Sequence, residues 1–157
     1  HAKTGCRAIG IDHNPVLVGE AKANLAGMTA AGTGPVNASA LSHKSSAAAG
    51  REDPERAEGK TVTFRRMRAQ DYRVTVEDSF YFFNPFSIQI FMKIINNILR
   101  SVEEHPREIE LVLYYVSDDY IYFLENQSSF ELKKEVILPG LYEHNSDERF
   151  LIYRLAY

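Results

Sequence analysis

Four aromatic residues in succession, Phe80-Tyr-Phe-Phe83, constrain the fold of this chain more than any other stretch. Neighbouring side chains of an extended strand point to opposite faces, so the run places two rings on each side of a sheet. Read alone, it calls for a strand covered on both faces, the position of a central parallel strand. Asn84-Pro85-Phe86 ends the run, and Ser87 to Arg100 follows with Ile88, Phe91, Met92, Ile95 and Leu99 at helical spacing. Asn84, made rigid by Pro85, thereby stands at the carboxyl end of a strand, where open α/β sheets bind ligands.

The rest of the chain extends this pattern. Ala8-Ile-Gly-Ile11 reads as a short strand ended by Asp12-His13-Asn14-Pro15. Asn14 suits a helix cap and Pro15 a first turn, with Gly27 as the expected stop. From residue 28 to 59 the composition changes: 20 of these 32 residues are Ala, Gly, Ser, Thr or Pro, and all 18 aromatics of the chain come later. Such a stretch buries too little apolar surface to offset its ordering entropy, so it reads as a flexible insertion. Thr61 to Phe64 and Ile109 to Val116 read as strands, the second followed by a short helix from Ser117 or Asp118 to Glu125. Phe130 to Leu138 and Phe150 to Leu155, joined through Pro139-Gly140 without a helix, read as an antiparallel pair.

At 157 residues the chain is expected to form one domain. Eighteen basic against 21 acidic side chains, a net charge of −3, argue against a broad nucleic-acid or membrane surface. A local nucleic-acid contact stays open at Arg65, Arg66, Arg68 and Arg73, which also suit a solvated strand exit. The lone Cys6 and the absence of a long apolar run fit a cytoplasmic protein with no membrane span. The five histidines lack metal-ligand spacing, and Asp118-Asp119 suit the start of a helix by its dipole. The aromatic cluster Tyr114, Tyr115, Tyr120, Tyr122 and Phe123 is expected to be mainly core, with Tyr115 or Tyr120 as a candidate ring for stacking on a substrate. The first residue, His1, reads as a cut end.

Taken together, strand-acid-helix, strand, strand-Asn-Pro-Phe-helix, strand-helix and a closing strand pair resemble the later part of a class I S-adenosylmethionine-dependent methyltransferase. Asp78 to Arg154 is similar to small bacterial members with a Phe-Phe-Asn-Pro-Phe signature. The resemblance implies a Rossmann-like, mostly parallel sheet with an antiparallel carboxyl-terminal pair. It also implies S-adenosyl-L-methionine as cofactor, with Asp12, beside His13, holding the ribose hydroxyls. A carboxylate accepts from two adjacent hydroxyls at once. Asn84, Pro85 and Phe86 match the motif that holds a target amine in amino-group methyltransferases, with one proline fewer. Asn84 is equally placed to line the cofactor pocket near the methionine part. Arg68 stands where the family often has an acid facing the adenine, which leaves that contact to Ala69, Gln70 and the backbone.

The resemblance covers Ala8 to Leu155 without the insertion and does not include the first strand or its Gly-rich loop, so it implies a single partial domain, truncated at its amino end. In that fold the first strand lies between the second and the fourth, and its absence leaves both with an unpaired edge. The methyl acceptor is unspecified. A noncatalytic interaction module that keeps the later strands is the competing expectation.

Overall fold

The computed structural model describes residues 7–30, 62–84 and 86–156, and the chain divides into two compact units, His1–Arg68 and Ala69–Tyr157. It is an α/β protein with parallel and antiparallel strands. Most of the 28–59 insertion lies outside the described residues, as do Cys6 and Pro85.

In the first unit, β1 (Ala8–Asp12) and β2 (Val62–Arg66) pair in parallel, and α1 (Pro15–Ala30) packs on them. Gly10 lies opposite Phe64, and a Cβ there would fall 2.5 Å from the Phe64 ring, so the absence of a side chain lets that ring lie over β1. The Asn14 side chain accepts the Val16 N–H at 2.9 Å, as a helix cap should. Gly27 does not stop α1, which runs on through Met28 to Ala30. One glycine costs a helix about 1 kcal/mol, and flanking alanines favour continuation. Val18 is buried, whereas Val16 and Leu17 are exposed.

The second unit holds a four-stranded sheet in the order β3 (Ser79–Phe83), β4 (Glu110–Tyr114), β6 (Arg149–Leu155), β5 (Phe130–Ile137). β3 and β4 are parallel, while β6 runs antiparallel to both β4 and β5. Gly140, with φ of 80°, supplies the left-handed residue of the turn between β5 and β6. Helix α2 (Ile88–Glu104) buries Phe91, Ile94, Ile95, Ile98 and Ser101, and α3 (Asp118–Gln127) buries Tyr120, Phe123 and Leu124. Apart from Ser101, these side chains form one core with Phe82, Leu111, Leu113, Leu151, Tyr153 and Leu155 from the sheet. Helix α2 passes Arg100 by four residues because Glu103 and Glu104 still suit a helix, and Pro106 marks the stop. Among the described residues no helix is long and apolar enough to cross a membrane.

The aromatic run does not behave as expected. Phe82 is buried and Phe80 packs against the same core, but Tyr81 and Phe83 are 59% and 58% exposed. Among the described residues β3 is the end strand of its sheet, and one of its two faces is open. Strand alternation decides which residues share a face, whereas burial depends on what other elements bring to that face. The parallel pairing with β4 is as expected.

The loop before β3 is held by Glu77, which accepts from the Tyr72 hydroxyl at 2.5 Å and the Thr75 N–H at 2.8 Å. Burial alone would raise its pKa, but these bonds and those from the Val76 and Glu77 backbone together lower it. The stability this contributes is present above the unfolded carboxylate value of about 4.3 and is lost as pH falls through the lowered folded value. Glu77→Gln should therefore cost on the order of 1 kcal/mol at neutral pH, after allowance for solvent screening, and flatten the acid limb of the stability curve below pH ~4.3. Urea unfolding at several pH values checks this; an unchanged acid limb would rule it out.

Candidate functional site

In the first unit, Asp12 closes β1 and the chain turns directly into α1. Its Oδ1 accepts the Asn14 N–H at 2.7 Å, and the side chain is 42% exposed. His13 Nδ1 lies 3.7 Å from the same oxygen on an 84% exposed side chain. One carboxylate oxygen is thus oriented by the turn, and the group as a whole stays accessible. The same backbone bond also serves the turn by itself.

In the second unit, Asn84 follows the last residue of β3 with φ of 33°, a left-handed conformation, and is exposed. Phe86 is turned inward: its ring meets Phe82 edge-on at 6.4 Å and packs against the core. The Tyr120 hydroxyl donates to the Phe86 carbonyl at 2.7 Å and accepts the Phe86 N–H at 3.2 Å. Burial raises the Tyr120 pKa, against the Phe86 bond, which lowers it, so the phenol remains protonated and able to donate. Tyr120 is 1% exposed and stacked on Phe91 at 3.8 Å, which removes it as a substrate-stacking ring. Its role is to fix the backbone just beyond Asn84. Ala69 and Gln70 lie in the 3₁₀ turn Ala69–Asp71, tied to α2 where Asn97 donates to the Gln70 carbonyl at 2.9 Å. Ala69 packs against the core.

At the carboxyl end of β4, Tyr115 is also left-handed, with φ of 57°. Ordinary alternation would send Tyr114 and Tyr115 to opposite faces; instead their rings lie 6.2 Å apart at 72°. Phe83 stacks on Tyr114 at 5.2 Å and 22°, and Tyr114 on Phe150 at 4.7 Å and 24°. Tyr115 meets Phe83 edge-on at 6.1 Å. The Tyr114 hydroxyl donates to Glu148, and this bond is the main cause of its raised pKa. Asn145 Nδ2 donates to the Tyr115 hydroxyl at 2.7 Å. Two adjacent parallel strands thus end in strained non-glycine residues beside a group of aromatic rings. Such strain costs about 1–3 kcal/mol per residue and clusters at functional sites.

Phe83, Asn145 and Glu148 escaped sequence reasoning as members of this group. The pairing of Phe150 with Tyr114 carries the polar loop ahead of β6 to the end of β4, so the hairpin register was the available signal. Asp118 and Asp119 are exposed in the first turn of α3, and Arg65, Arg66, Arg68 and Arg73 are exposed. Comparison with protein families, curated proteins and solved structures found no match to this chain.

Proposed function

We propose that the chain is part of an S-adenosylmethionine-dependent methyltransferase of the class I, Rossmann-like type. The observation that carries the reading is Asp12, an accessible carboxylate at the end of a parallel strand, oriented by the Asn14 N–H at 2.7 Å. A pair of adjacent ribose hydroxyls fits such a group, because the carboxylate keeps acceptor capacity beyond that one bond. The strand pairing supports the same reading. β1 and β3 each have one strand neighbour among the described residues. The antiparallel β5–β6 pair fits the end of such a sheet.

On this reading Asp12 orients the ribose, and Asn84, at the carboxyl end of β3, positions the acceptor. Asn84 is free to do so because Tyr120 holds the following backbone and Phe86 anchors it in the core. When bound, the cofactor supplies an electrophilic methyl group. Charge is lost as the methyl moves to a neutral acceptor, so positioning and water exclusion carry the rate rather than an acid and base pair. Asp12→Ala should weaken S-adenosylhomocysteine binding by about 10- to 100-fold, the worth of charge-assisted hydrogen bonds. The thermal shift produced by that ligand in the native chain and the variant checks this, and equal shifts would count against the reading. A second reading, a noncatalytic interaction module, is favoured by the exposed Tyr81 and Phe83 on the open sheet face.

A further inference from the structure

We infer that Phe83 is a stacking platform for a free planar heteroaromatic ring, which is the methyl acceptor if the methyltransferase reading on which that role rests is correct. Phe150, Tyr114 and Phe83 form a continuous stack across three neighbouring strands, with centroid spacings of 4.7 and 5.2 Å and interplanar angles of 24° and 22°. Among the described residues the stack ends at the end strand of the sheet, on a side chain that is 58% exposed. Phe83 has Tyr114 against one ring face, so its other face is where a further planar group continues the series.

Tyr115 flanks the Phe83–Tyr114 pair, its ring centroid 6.1 Å from one and 6.2 Å from the other. Its left-handed backbone brings the ring to the same side as Tyr114 and sets it edge-on to Phe83 at 86°. Asn145 donates to the Tyr115 hydroxyl at 2.7 Å, which holds that flanking ring in place. Asn84, next in the chain and also left-handed, is exposed beside the platform and offers an amide donor and acceptor to the rim of a ring.

The geometry discriminates between ligand classes. A cage for an organic cation turns several ring faces toward one point. Here the rings lie face to face with one another, and the free area is a single flat face, which suits a plane. The charged side chain bonded within the cluster is an acid, Glu148, which disfavours a phosphate next to the ring. This selects a free heteroaromatic ring over a base in a nucleic-acid strand.

The probe is free 2-aminopurine, whose fluorescence is quenched on stacking. The native chain should quench it saturably, Phe83→Ala should weaken binding by about 5- to 150-fold, and Phe83→Tyr should retain it. Phe83→Ala also removes the contacts with Tyr114 and Tyr115, so its melting temperature should fall by several degrees, and binding is compared where both chains are folded. No saturable quenching, or equal quenching by Phe83→Ala, would overturn the platform. Binding only when the base is carried in a short single strand would overturn the choice of a free ring. S-adenosylhomocysteine binding is read in parallel and should survive Phe83→Ala. If 2-aminopurine binds while S-adenosylhomocysteine does not, the methyltransferase reading fails and the ring site stands; the reverse pattern removes the ring site alone.

Discussion

Replacing Phe91 with alanine is expected to destabilise the Ala69–Tyr157 unit by about 3–5 kcal/mol, the cost of deleting a buried aromatic side chain. Phe91 is fully buried on α2. Its ring stacks on Tyr120 at 3.8 Å and meets Phe82 and Phe123 edge-on at 5.6 and 6.2 Å. Each aromatic pair adds about 0.5–1.5 kcal/mol to the burial term, so three pairs at one residue make it the junction of α2, α3 and β3. The loss also reaches the candidate site, because Tyr120 holds the backbone of Phe86. In a unit of this size the melting temperature should fall by roughly 12–40 °C. Thermal unfolding of the native and variant chains reads this directly, and a fall of only a few degrees would mean that α2 is not packed as described.

Arg107→Ala should cost about 2–4 kcal/mol, without any apolar side chain leaving the core. Arg107 lies three residues beyond the end of α2, where helix carbonyls lack intrahelical partners and a cation is favoured. It donates through Nε to the Glu77 carbonyl at 2.9 Å, and through one terminal nitrogen to the carbonyls of Ser101 and His105 at 3.1 and 2.9 Å. The other terminal nitrogen donates to Ser101 Oγ at 2.8 Å. One planar group therefore joins the end of α2 to the loop that leads into β3. An ammonium has the charge but not the fork, so Arg107→Lys should recover only a minor part of the loss. Urea midpoints of the three forms separate geometry from charge; full recovery by lysine would contradict the bonding described.

How far local sequence predicts structure varies along this chain for physical reasons. Helix α2 was readable because its apolar stripe repeats at the helical period, and the structure buries Phe91, Ile95 and neighbouring positions on that stripe. The β5–β6 pair was readable from Pro139-Gly140 between two strand-like runs. The open face of β3 was not, because four aromatics in a row specify two faces and say nothing of what covers them. Asn84 is a residue type known to tolerate a left-handed backbone, whereas Tyr115 carries no such signal and is held by Asn145 from thirty residues away. The Arg107 bonds join segments that periodicity does not connect. Of the expected site residues, Asp12 is half-buried with its side chain 42% exposed and Asn84 is exposed, both at strand ends, while Phe86 and Ala69 pack against the core. Pro85 lies outside the described residues.

Calorimetric titration of S-adenosylhomocysteine into the native chain tests the methyltransferase reading most directly. On the proposed reading Asp12 holds the ribose end of the cofactor, and saturable one-site binding that is weak is expected, with a Kd of roughly 10 μM to 1 mM, equivalent to about 4–7 kcal/mol. The Asp12→Ala chain, titrated alongside, should bind at least about tenfold less tightly. No binding heat at millimolar ligand, or an equal affinity in the variant, would contradict the account and leave the interaction module as the better reading.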